Sequence, residues 1–124
     1  MATFPKSERI KSRIVLEKVY NEGEMLKAYP FRLKFMVSET EDIGNAKIVV
    51  SVPKRLVKRA VKRNRIRRQV KEIYRLNKTD LLSLLQSKSK GLALFLIFTG
   101  KETDTFDFME EKLKKLLDEL KKNI

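Results

Sequence analysis

AKIVVSVPKRLVKRAVKRNRIRRQVKEIYR, residues Ala46–Arg75, joins a β-branched run to a densely basic one. Ala46 to Val52 predicts a strand, and Pro53, which has no N–H to offer a ladder, ends it. From Lys54 to Arg75 the chain carries eleven Lys or Arg and one acid, Glu72, a net +10 out of +13 for all 124 residues. A block of charge this dense repels itself unless a polyanion lies against it. Yet it is no disordered tail, because Val61, Ile66, Val70, Ile73 and Tyr74 punctuate the charges at helical spacing. The pattern predicts a folded helix with nucleic acid on one face and a protein core on the other.

At about 100° per residue, Ile66, Val70 and Ile73 share one face of this helix. Asn64, Arg68, Lys71 and Arg75 share the opposite face, with Arg65 and Arg67 on its flanks. Alternating Lys and Glu would read as a solvated surface. Here Glu is nearly absent and Arg outnumbers Lys between residues 63 and 75, and the planar Arg fork matches phosphate where Lys is a point charge. A membrane-surface helix would carry Trp, Phe or Leu on its apolar side. Small β-branched residues suit packing on a sheet instead. A helix-turn-helix reader needs a helical neighbour, whereas the flanking elements here are strands. RNA held by shape and phosphate fits best.

Working outward, Ser12 can cap a helix that runs to about Glu22, with Val15, Leu16, Val19 and Tyr20 on one face and Gly23 as its stop. Met25 to Ala28 reads as a short strand. From Tyr29 to Val37 the residues alternate, with Phe31, Leu33, Phe35 and Val37 on one side and Arg32, Lys34 and Met36 on the other. This predicts a strand with a buried face and a cationic face. The acidic segment Ser38–Asn45 turns the chain at Gly44-Asn45. After the basic segment, Thr79 to Gln86 is amphipathic through Leu81, Leu82, Leu84 and Leu85, and Ser87–Gly91 is a loop. Leu92–Phe98 is apolar on both faces, which predicts a central strand. Phe35, Phe95 and Phe98 are expected in the core. Gly100 turns the chain, and Thr105 can cap a last helix whose Phe106, Met109, Leu113, Leu116, Leu117 and Leu120 trace an apolar stripe. The order predicts an α+β, two-layer α/β sandwich, with a βαβ unit around the basic helix whose default hand is right.

The length predicts one domain, 1–124, which buries roughly two thirds of its unfolded surface. The longest apolar run has seven residues, far short of the about 18 that span a membrane. No secretion signal is apparent near Lys6, Glu8, Arg9 and Lys11, and the expected setting is the cytoplasm. The chain has no Cys, His or Trp. Disulfides, zinc sites, Cys or His nucleophiles and imidazole bases are therefore excluded. Carboxylates could still do acid–base work, but the acids fall mainly in residues 38–45 and the C-terminal helix, where solvated charge is the simpler reading.

Ala60-Val61-Lys62-Arg63-Asn64-Arg65-Ile66-Arg67-Arg68, following Val50-Ser51-Val52-Pro53-Lys54-Arg55, closely resembles the signature of the protein subunit of bacterial ribonuclease P. Its Arg-Asn-Arg core stands intact at Arg63-Asn64-Arg65. The resemblance extends over nearly the whole chain: Arg9-Ile10 resembles an N-terminal Arg-Leu, Leu16…Tyr20…Gly23 the first helix, Phe31-Arg32-Leu33 an edge-forming strand, and Thr105 onward the last helix. Two departures stand out. Leu16 occupies a position that is usually aromatic, although Tyr20 keeps an aromatic one turn on. Lys54–Arg59 lacks a common Gly and is one residue longer.

The resemblance implies a ribosomal protein S5 domain 2-like fold in αβββαβα order, with a left-handed βαβ crossover in place of the default. It implies an accessory to a catalytic RNA that uses Mg2+ to remove the 5′ leader of precursor tRNA. The chain itself would then hold no catalytic residue, metal or cofactor. The RNA subunit is expected to contact Arg63, Asn64, Arg65, Arg67, Arg68, Lys71, Lys54 and Arg55. Leu16, Tyr20, Phe31, Arg32 and Lys34 are expected along the leader. For Arg63 and Arg65 the competing role is a salt bridge within the domain, for Asn64 a helix cap, and for Tyr20 and Phe31 a place in the core. The expected partners are ribonuclease P RNA, with one protein per RNA, and precursor tRNA; no membrane or small-molecule substrate is expected. Two other readings compete: a non-catalytic, ribosomal-protein-like RNA-binding module, and a metal-dependent nuclease built on Asp and Glu.

Overall fold

The computed structural model describes residues 21–40, 43–101 and 104–124. In chain order the elements are β1 (Glu24–Ala28), β2 (Phe31–Ser38), β3 (Ala46–Ser51), α1 (Ala60–Asn77), α2 (Thr79–Ser87), β4 (Gly91–Phe98) and α3 (Phe106–Lys122). The expected helix from Ser12, with Leu16 and Tyr20, lies outside the described residues up to residue 20.

Four strands form one sheet in the order β1-β2-β4-β3. β2 runs antiparallel to β1 and to β4, and β3 runs parallel to β4. The apolar run of β4 is thus central, as its lack of a polar face predicts. β3 and β4 are neighbours joined through α1 and α2, which makes the expected βαβ unit. The second strand begins at Phe31, two residues later than its alternation suggested. Tyr29 and Pro30, joined by a cis peptide, form the turn from β1 instead.

Period-two alternation decides what lies under the helices. Phe31, Leu33 and Phe35 of β2, Ile48 and Val50 of β3, and Leu92, Leu94, Leu96 and Phe98 of β4 are all buried. Against them pack Ile66, Val70, Ile73 and Tyr74 of α1 and Met109, Leu113, Leu116, Leu117 and Leu120 of α3. One expectation is corrected here. Phe95 shares its parity with Ala93 and Ile97, not with the core-facing residues of β4, and is only half-buried on the sheet's second face. A strand apolar on both sides can turn only one of them toward the helices.

The two long helices begin differently. At α3 the Thr105 hydroxyl accepts a hydrogen bond from the Phe108 N–H at 3.2 Å, and Asp107 sits in the first turn. α1 has Arg59 at its N-cap position, with no side-chain cap and no acid in its first turn. Cations gathered at the positive end of a helix dipole cost about 0.3–1 kcal/mol each when exposed. This arrangement opposes folding and favours an incoming anion.

Candidate nucleic-acid interface

α1 is split as its helical wheel requires. Ile66, Val70, Ile73 and Tyr74 face the sheet, while Asn64, Arg65, Arg68, Lys71 and Arg75 are exposed. The apolar stripe seats the helix and fixes which way the cations point. Val61 departs from the expectation that it belongs with the apolar residues. It is 77% exposed, on the outer side of α1 one turn before Arg65.

Several polar side chains on α1 have local partners that the sequence does not reveal. Arg63 Nη1 donates to the carbonyl oxygens of Val57 at 3.0 Å and Lys58 at 2.7 Å. Its guanidinium therefore folds back onto the connection that enters the helix, a third role beside RNA contact and an acidic salt bridge. Asn64 does not cap α1, since Arg59 holds that position. Its Oδ1 accepts from Arg67 Nη1 at 2.8 Å and so aims the Arg67 fork. Arg75 grips Glu72 with two hydrogen bonds, Nη2 to Oε1 at 2.7 Å and Nε to Oε2 at 3.2 Å. That contact holds the Glu72 carboxyl below its ordinary range and raises Arg75. The one acid on α1 is thus engaged at the end of the cationic face.

The connection from β3 is anchored while its charges stay outside. Val57 is buried, Leu56 is half-buried, and both of their N–H groups donate to the Pro53 carbonyl at 3.1 Å. Lys54, Arg55, Lys58 and Arg59 are exposed around that anchor. Arg63 closes it from the helix side.

A second surface lies across the sheet, on the face turned away from α1 and α3. Arg32 is exposed there and Lys34 is half-buried. The register places Lys27, Arg32, Ile97 and Ser51 in one cross-strand row and Met25, Lys34, Phe95 and Val49 in the next. Neighbouring strands lie about 4.8 Å apart, so each row sets a cation beside apolar side chains. Nothing in the parity of β4 singles out Phe95, because both of its faces are apolar; the pairing of β1 brings Met25 beside Lys34. Phe31 is corrected in the other direction. It is 1% exposed and packs edge-on against Phe98, with ring centroids 6.0 Å apart, so its ring belongs to the core and offers no face to a base. Leu16 and Tyr20 lie outside the described residues.

The topology brings the two surfaces together at one end of the strands. Phe31 pairs with Phe98, and Ser51 with Ile97. The start of β2 and the ends of β3 and β4 therefore coincide. The cationic connection and the first turn of α1 lie at the end of the sheet nearest Arg32. Chemically, a helix face of guanidinium groups suits a folded polyanion, and a sheet face mixing cations with apolar side chains and the Phe95 ring suits a single strand. Among the described residues no three carboxylates gather where they could hold a metal ion, and no helix is long and apolar enough to cross a membrane.

Comparison with known proteins agrees over nearly the full length. The sequence model of the family described as ribonuclease P matches residues 4–121. The chain is 33% identical to the ribonuclease P protein component of Porphyromonas gingivalis, over 96% of this chain and 87% of that one. It resembles the solved RNase P protein of Thermotoga maritima with a TM-score of 0.69 and 26% identity, covering 90% of this chain and 96% of that one. A mutant RNase P protein of Staphylococcus aureus superposes with a TM-score of 0.73, over 94% of this chain and 90% of that one, and its 21% identity speaks for the fold.

Proposed function

The chain belongs to the ribonuclease P protein family, and on that premise we propose that it is the accessory protein of an RNA enzyme, docking on the RNA subunit through α1 and holding the 5′ leader of precursor tRNA on the second face of the sheet. The observation that carries this reading is the division of α1. Its apolar stripe is spent on the core, and Arg65, Arg68 and Lys71, with Lys54 and Arg55 before them, are exposed outside it, with Arg67 half-buried on the flank. Each phosphate they neutralise releases counterions, so log K falls with log salt by about 0.9 per contact on a duplex. Asn64 and Arg63 serve this surface mainly as positioning residues, one orienting Arg67 and the other holding the connection.

On the sheet face, Arg32 and Lys34 track the leader backbone. Phe95 joins Tyr20 as a candidate for stacking its bases, in place of Phe31. Bond cleavage belongs to the RNA subunit with Mg2+, and this chain contributes phosphate neutralisation and substrate positioning. One protein per RNA, acting as a single domain with the left-handed crossover of its family, completes the proposal.

The test is cleavage of precursor tRNA by bacterial ribonuclease P RNA at low Mg2+, with and without this protein. The accessory reading expects leader removal to rise on adding the protein and expects no cleavage by protein alone. A general RNA-binding module would leave the RNA enzyme unchanged. Cleavage by repeatedly purified protein would instead point to a nuclease of its own.

A further inference from the structure

Tyr29 is 52% exposed, yet it is not loosely held. It sits in the β1–β2 turn beside Pro30, which is buried. The Pro30 carbonyl accepts from the Thr99 N–H at 2.7 Å. Gly100 packs so closely below that an added Cβ would meet the Pro30 Cβ at 2.5 Å. The Tyr29 ring leans on Phe108 of α3, with centroids 6.2 Å apart and planes at 54°. Lys112 Nζ covers the Phe108 ring from 5.7 Å. A large ring fixed by a rigid turn and an aromatic neighbour loses little freedom on binding. Half of its surface nevertheless remains in water.

The turn lies at the same end of the strands as Arg32 and the cationic connection, with β4 between β2 and the strand that leads into that connection. Lys27 precedes it by two residues and Arg32 follows by three, and both are exposed on the sheet's second face. The acids described at this end are Asp104, which accepts from the Lys101 N–H at 2.8 Å, and Asp107 in the first turn of α3. Cations that track a backbone beside a fixed aromatic ring are the chemistry of a single-strand stacking site.

We propose that Tyr29, buttressed by Phe108, stacks one unpaired nucleobase of the RNA strand that crosses the sheet face, extending the leader path past Lys27 and Arg32 onto the end of the sandwich. This rests on the leader reading above and adds to it a specific residue and a minimum leader length. Phe108 is a positioning residue that keeps the ring in place.

The experiment uses the reconstituted holoenzyme and precursor tRNAs with leaders of graded length. Each leader carries 2-aminopurine, whose fluorescence is quenched on stacking, at one position in turn. One position should be quenched by wild-type protein, released by Tyr29→Ala and retained by Tyr29→Phe. Tyr29→Ala should weaken binding about fivefold or more once the leader reaches that position, and leave mature tRNA binding unchanged. The proposal falls if no leader position responds to Tyr29→Ala. In that case Arg32→Ala with Lys34→Ala decides whether the leader reading survives: a loss confined to precursor tRNA keeps it, and no loss ends both. An equal loss for precursor and mature tRNA with Tyr29→Ala would assign the ring to the RNA subunit and also overturn the proposal.

Discussion

Replacing Arg63 separates the two jobs that a cation on α1 can do. Its Nη1 makes charge-assisted hydrogen bonds to the Val57 and Lys58 carbonyls at 3.0 and 2.7 Å. Such bonds contribute about 1.5–3 kcal/mol when dry. One of these is exposed and the other only partly buried, so Arg63→Ala should lower stability by about 1–2 kcal/mol. For a domain of this size that corresponds to a fall in Tm of roughly 4–8 °C. The loosened 54–59 connection should also weaken binding to the RNA subunit, because Lys54 and Arg55 lose their fixed positions. Arg63→Lys keeps the charge, but a single ammonium group cannot reproduce the planar fork, so stability and affinity should both stay low. The assays are urea or thermal unfolding of the free protein and salt titration of its complex with the RNA subunit. Unchanged stability with a slope shallower by about 0.9 would refute the reasoning and make Arg63 a phosphate ligand.

Arg65→Ala and Arg68→Ala should each weaken binding to the RNA subunit and reduce the salt slope by about 0.9 per lost phosphate contact, with the fold left intact. Arg32→Ala combined with Lys34→Ala should lower holoenzyme affinity for precursor tRNA across leader sequences and hardly alter affinity for mature tRNA. Glu72→Gln should release Arg75 and remove the acid of α1, giving tighter RNA-subunit binding and a steeper salt slope. The folded Glu72 carboxyl titrates below its unfolded value. Its small contribution to stability is therefore present above the unfolded pKa and lost as pH falls through the folded one, so wild type and Glu72→Gln should converge in stability at acid pH.

Much of this architecture is legible in the sequence because periodicity and burial agree. The 4- and 3-residue spacing of Ile66, Val70 and Ile73 locates the buried side of α1, and the unbroken apolar run of β4 locates the middle of the sheet. The stripe from Met109 to Leu120 and the hydroxyl of Thr105 likewise announce α3 and its start. The misses have a common physical origin. A strand apolar on both sides does not say which parity meets the helices, so the sequence leaves the layer of Phe95 open. The alternation of β2 names a buried face correctly, but only the pairing of Phe31 with Phe98 across the sheet decides between core and cleft. Composition also treats every Arg alike. That Arg63 turns back to carbonyls, Arg67 to Asn64 and Arg75 to Glu72 depends on backbone path, which no count of charges contains. Val61 escaped because an apolar residue inside a basic run invites a place in the core, while its angle on the wheel is opposite.

The central claim is that one small sandwich presents two surfaces to two RNAs, and tethered hydroxyl-radical cleavage tests it most directly. The chain has no cysteine, so a single introduced thiol carries the iron chelate without background labelling. Leu76→Cys places the probe toward the end of α1, and Met25→Cys places it on the sheet's second face, at positions 53% and 41% exposed where no charge is lost. In the holoenzyme bound to precursor tRNA, the probe on α1 should cut the RNA subunit and the probe on β1 should cut the leader. Leader cuts from residue 76, or RNA-subunit cuts alone from residue 25, would contradict the division of labour.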